Sequence, residues 1–194
     1  MKSFSKYNLI ANEISNLDNI GKKRTFLDIV ECFFDKFIGG FSFSIKTPNY
    51  LYIRAKVLCD DVYDLSGYSM EVEEIVYLLY RDFLQSVKEY DDPVSIYQMM
   101  FLRIESDSKL HIQERFYSVK EDMKSVQYLN VAMKKKDVLR GEIFLRDLES
   151  RIPNHGLTVE AVIQSLFNDF LNEYVNGSSQ KVIGQLIERL EDIE

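Results

Sequence analysis

Two histidines, two cysteines, one dense run of carboxylates and one run of lysines are the groups in this 194-residue chain whose types could do chemistry. His111 lies in "KLHIQERF" and His155 in "IPNHGL". Neither has a Ser or Cys close enough in the sequence to read as a nucleophile that the imidazole would activate. The turn holding His155 separates two helical stretches, which predicts an exposed ring. Cys32 and Cys59 stand among apolar neighbours, with no Cys or His at metal-ligand spacing. Both read as buried free thiols, consistent with a reducing cytoplasm. "CDDVYDLSGYSMEVEE" packs Asp60, Asp61, Asp64, Glu71, Glu73 and Glu74 together, and hard cations favour clustered oxygens. The run lacks the alternating acids, glycine and distant Glu of a calcium loop. Acids at a helix start have a plainer role opposite the positive end of the helix dipole. "FIGGF" lacks the lysine and hydroxyl of a phosphate loop. No catalytic residue, metal site or cofactor is therefore assigned, and the chain reads as a non-enzyme.

The lysine run is more telling. "KKKDVLRGEIFLR" offers Lys134, Lys135, Lys136, Arg140 and Arg146 as candidate phosphate contacts. It closes a stretch, 103–140, with nine bases against six acids, in a chain of net charge -7 and pI about 5.0. Acidity on that scale disfavours non-specific adhesion to nucleic acid or anionic membrane, but not a local basic patch. Tyr63, Tyr68, Tyr77 and Tyr90 form a second candidate set, for protein contact, because tyrosine joins a large apolar ring to a polar tip.

The elements that must position these groups announce themselves twice. "EEIVYLLYRDFLQSV" (73–87) and "EAVIQSLFNDFLNEY" (160–174) carry the same helical stripe, with Phe83 matching Phe170 at an offset of 87. Upstream, "RAKVLCDDV" from Arg54 parallels "RGEIFLRDL" from Arg140, at an offset of 86. Downstream, "SIYQMM" (95–100) parallels "VIGQLI" (182–187). Ser69 and Thr158 are candidate N-caps, since a hydroxyl can accept from the free amides of a first turn. A fainter copy, "TFLDIVECFFDKFIGG" from Thr25, opens the chain. "FSFSIK" (41–46), "TPN" and "YLYIRAKVL" resemble a β-hairpin up to about Tyr52, with helix beyond it. "KLHIQERFYSV" (109–119) offers a further strand.

These patterns predict an all-α fold, with at most a small β-hairpin: tandem duplicated three-helix units plus an N-terminal helical extension. The divisions fall at 1–50 (extension), 51–105 (first unit), 106–136 (basic connector) and 137–194 (second unit). No apolar run approaches the roughly 20 residues of a membrane span. The opening "MKSFSKYNLIANEISNLDN" has no continuous apolar core, so no secretory leader is expected. The leading functional expectation is a cytoplasmic regulatory or adaptor protein acting by protein–protein binding. The alternative is a DNA-binding transcriptional or mobile-element regulator, a pseudo-dimer of ribbon-helix-helix or helix-turn-helix type, using the basic residues above.

Overall fold

A computed structural model of the chain describes residues 2–18, 40–89, 92–99, 126–176 and 179–191. Within them lie α1 (Leu9–Asp18), β1 (Gly40–Pro48), α2 (Asn49–Ser66), α3 (Val72–Glu89), β2 (Val126–Lys134), α4 (Lys135–Arg151), α5 (Val159–Asn176) and α6 (Ser179–Glu191). A further helical turn covers 93–99. The fold is thus mostly helical with a two-stranded antiparallel sheet.

β1 has the alternation expected of "FSFSIK". Its partner, however, is β2 and not the segment after the turn. The register runs from Gly40 opposite Lys134 to Pro48 opposite Val126, with Ser44 opposite Asn130 at the centre. The expected hairpin into "YLYIRAKVL" does not form. Pro48 (φ -55, ψ 137) has no amide hydrogen with which to extend the ladder. Helix α2 begins at the next residue, so Tyr50–Leu58 are helical. β2 likewise runs straight into α4 through Lys134 (φ -70, ψ 141). The helices expected from Arg54 and from Val138 are present; the stretch taken for a basic connector, 106–136, closes with strand β2 and the first two residues of α4. The helix from Thr25, the strand at 109–119, Cys32, His111 and Tyr90 lie outside the described residues.

A strand followed by two helices therefore occurs twice. The elements start at Gly40 and Val126, an offset of 86, at Asn49 and Lys135, again 86, and at Val72 and Val159, an offset of 87. α3 buries Val72, Ile75, Val76, Tyr80, Phe83 and Leu84 on one face; α5 buries Val159, Val162, Ile163, Phe167 and Leu171. Leu166 and Phe170 are half-buried against the same core. α3 and α5 pack on each other. α3 also lies against β2 and α5 against β1, while α2 crosses α5 and α4 crosses α3. The two units are interleaved around one hydrophobic cluster. Fully burying a side chain of this kind stabilises by about 1.5–3 kcal/mol relative to leaving it exposed.

Two glycines serve this geometry. Gly67 takes a left-handed φ of 77 after α2, and its amide closes on the Tyr63 carbonyl. Gly141 sits where α4 crosses α3: a Cβ there would fall 2.0 Å from the Tyr80 hydroxyl. Thr158 caps α5 as expected, its Oγ1 accepting from the Ala161 amide at 3.2 Å. Ser69 does not cap α3; instead the Glu74 carboxylate accepts from the Glu71 amide at 2.8 Å.

The N-terminal segment docks on the second unit. The Phe4 carbonyl accepts from the Val159 amide at 2.8 Å. Glu142, buried on α4, receives the Ser5 hydroxyl and the Leu9 and Ile10 amides. A buried carboxylate so placed satisfies the free donors of the α1 start and opposes the positive end of its dipole. At the other end of the chain, Arg189 of α6 reaches Asp82 of α3 at 2.8 Å.

Candidate nucleic-acid interface

The two-stranded sheet has one face in the core and one in solvent, because successive strand residues point to opposite sides. Phe43, Ile45, Thr47, Leu129, Val131 and Met133 are buried beneath it. Ser42, Ser44 and Lys46 of β1, with Tyr128, Asn130, Ala132 and Lys134 of β2, are exposed on the other side. Across the ladder, Ser42 stands opposite Ala132, Ser44 opposite Asn130, and Lys46 opposite Tyr128. No carboxylate occurs among these outward residues, although the chain as a whole has net charge -7. Nine residues of strand span roughly 30 Å. The major groove of duplex DNA, roughly 12 Å wide, has room for a two-stranded ribbon.

The lysine run begins where β2 ends. Lys134 closes the strand, with its ammonium 5.9 Å from the centre of the Tyr77 ring. Lys135 is paired with Glu13 of α1 at 3.1 Å, and Lys136 is exposed. Arg140 is exposed one turn further on and lines a shallow groove of about 230 Å³ with Val87, Ile96 and Asp147. Arg146, also exposed, lies ten residues beyond Lys136, roughly 15 Å along the helix. The structure thus joins Lys134 and Lys136 to the ribbon and leaves Arg146 away from it.

Both helix starts that follow the strand–helix pairs carry acids. Glu73 and Glu74 lie in the first turn of α3, and Glu160 in that of α5. Glu74 is occupied by the Glu71 amide, and Glu160 accepts from the Lys6 amide at 2.8 Å. At α3 a carboxylate of the chain itself closes the helix start; at α5 the Val159 and Ala161 amides are met instead by the Phe4 carbonyl and the Thr158 hydroxyl.

The other candidates lie apart from the ribbon face. The His155 side chain is fully buried, not exposed as its turn implies. Its Nδ1 accepts the Leu157 amide at 3.0 Å, so the ring proton resides on Nε2, which faces the Leu145 carbonyl and Glu149. The ring stacks on Phe4, centroids 6.0 Å apart. It holds the α4–α5 turn to the N-terminal segment, and left-handed Asn154 and Gly156 make the tight path. Cys59 is a buried free thiol; burial first, and then nearby Glu71 and Asp60, push it up to about 11, which keeps it a neutral thiol. Among the described residues no three His, Cys, Asp or Glu side chains are grouped to hold a metal ion. Tyr63 is exposed, Tyr68 half-buried, and Tyr77 half-buried with its hydroxyl 3.4 Å from Asp137. Among the described residues no helix is long and apolar enough to cross a membrane.

Sequence reasoning passed over Ser42, Ser44, Lys46, Tyr128 and Asn130. The signal for them was available: carrying the 86-residue offset upstream lays "GFSFSIKTP" on "VQYLNVAMK", and the alternation in the first then marks the outward positions of the second.

No protein-family model, no curated protein and no solved structure matches the chain.

Proposed function

We propose that the chain is a non-enzymatic regulator that binds duplex DNA with the outward face of the β1–β2 ribbon, its two strand–helix–helix units being copies of one ancestral unit. The observation that carries this reading is the carboxylate-free polar face of the ribbon, bearing Ser42, Ser44, Lys46, Tyr128 and Asn130 in a strongly acidic chain. Side chains of these types hydrogen-bond base edges in the major groove, lysine to guanine and asparagine to adenine. Lys134 and Lys136 at one ribbon end serve phosphates, which fix register without reading sequence. The helix starts contribute little here, because their amides already meet the Glu74 carboxylate at α3 and the Phe4 carbonyl and Thr158 hydroxyl at α5. The copying of a unit is supported by the near-constant offsets of strands and helices, 86, 86 and 87, and by the buried residues recurring at them.

Fluorescence anisotropy with labelled duplexes, across about 50 to about 200 mM salt, tests the reading. Affinity should fall steeply with salt. Lys134→Ala and Lys136→Ala together should flatten the slope by about 0.9 per phosphate contact removed, with the melting temperature unchanged. Absence of any anisotropy change with micromolar protein at the lowest salt would sink it.

A second reading, the adaptor acting by protein–protein binding, draws on α2. There Tyr50, Ile53 and Val57, spaced three and four apart, leave 46%, 61% and 49% of their surface exposed, with Tyr63 further along. Ile53→Asp with Val57→Asp separates the two, since DNA affinity should not change if the ribbon is the working surface.

A further inference from the structure

We infer that the DNA site this chain reads is non-palindromic, with two unlike halves recognised by a single copy of the protein. The inference rests on the ribbon reading above and deepens it.

Any antiparallel strand pair has a local two-fold axis normal to its face. The register puts that axis between Ser44 and Asn130. In a reader made of two identical chains, the axis coincides with that of the duplex, so the site must repeat itself in inverted form. Here the axis relates unlike groups. Ser42 and Ala132 face each other on one side of the centre; Lys46 and Tyr128 face each other on the other. One end of the ribbon is small, a hydroxyl beside a methyl. The opposite end carries a cation beside an aromatic ring that is 59% exposed.

The chemistry of recognition follows the same split. Lys46 offers donors to guanine O6 and N7, and nothing comparable stands at Ala132. Ala132 suits a close approach or a thymine methyl group. At the centre, Asn130 can both donate to adenine N7 and accept from adenine N6, whereas Ser44 has one short hydroxyl. The central reading is therefore one-sided. The flanks differ as well. The ladder sets Gly40 beside Lys134 at the small end, where Lys136 follows, and Pro48 beside Val126 at the other. The N-terminal segment covers the start of α5 through Phe4 and Lys6, but the start of α3 closes on its own Glu74. A directional site needs no second copy of the protein to define it.

The full chain is used to select duplexes from a randomised library, and the bound pool is sequenced. The expected result is an enriched motif without inverted symmetry, with adenine near its centre and guanine in one half only. Asn130→Ala should relax preference at one position, costing about 5- to 150-fold in discrimination there. Ser44→Asn, which places an amide on both sides of the axis, should shift the selected centre toward inverted symmetry. Both residues are exposed, so an unchanged melting temperature shows that the fold is intact. An enriched palindrome, with Asn130→Ala relaxing two symmetric positions, overturns the inference and leaves DNA binding standing. Tight binding with no sequence preference overturns it too. Failure to retain any duplex at low salt overturns the DNA reading itself.

Discussion

The unit β1–α2–α3 and the unit β2–α4–α5 agree inside and disagree outside. At an offset of 87, Val72, Ile75, Val76, Tyr80 and Leu84 meet Val159, Val162, Ile163, Phe167 and Leu171, and all ten are buried. At an offset of 86, outward Ser42, Ser44 and Lys46 meet Tyr128, Asn130 and Ala132. Lys56, exposed on α2, meets Glu142, buried on α4 under the N-terminal segment. Interior positions tolerate little change in volume, because cores are packed near crystal density. Surface positions carry no such constraint, so function and docking accumulate there.

The largest test of this comparison is Phe167→Asp. It buries an unpaired charge in the core that both units share, so a loss above about 4 kcal/mol and an unfolded chain are expected. Circular dichroism melting reads it. Half the signal surviving as a separate cooperative transition would show that the units fold independently, and the comparison would fail.

Next comes Glu142→Ala, which strips a partner from the Ser5 hydroxyl and from the Leu9 and Ile10 amides. Urea unfolding should show a loss of about 2–3 kcal/mol. Lys56→Ala, the matching change in the first unit, should stay within about 0.5 kcal/mol. Equal effects would mean that the N-terminal segment adds nothing to the second unit.

A smaller effect is expected at the helix crossing. Gly141→Ala drives a methyl into the Tyr80 hydroxyl and should cost about 1–2 kcal/mol, net of the better helix propensity of alanine. Adding Tyr80→Phe converts the pair to the Ala55 and Phe167 found at the corresponding positions, and most of the loss should return. A double-mutant cycle without coupling would contradict the close approach.

The smallest is a pH effect confined to the second unit. Hydrogen bonds from Lys2 first and from the Asn154 amide hold the Glu149 carboxyl below its ordinary value. A carboxyl lowered on folding contributes stability above the ordinary carboxylate range and loses it as pH falls through the lowered value. The Asn154 amide resonance should therefore shift on acidification below about pH 4.5, before global unfolding. Tyr63, at the matching position, has no carboxyl, so the turn at Gly67 should not respond.

Much of this architecture was legible in the residues. The stripes on α3 and α5, the Thr158 cap, the Cys59 thiol and the doubled order of segments all follow from period and offset. The partner of β1 was not legible. Local turn chemistry at "TPN" favoured a hairpin, and the true pairing with 126–134 crosses some eighty residues, which no local pattern reports. Nor could the turn holding His155 be read as buried, because what covers its ring is Phe4, far away in the chain.

By itself, then, the sequence determined which residues must leave water and how often they recur, since burial free energy follows side-chain type and spacing. Only the tertiary structure decided that the two units interleave, that two distant strands meet with Ser44 against Asn130, and that their polar sides form one outward face. Pairing is a long-range contest among many segments of similar β-propensity. Its outcome depends on the packing of α3 and α5 beneath the ribbon, and so on the whole chain at once.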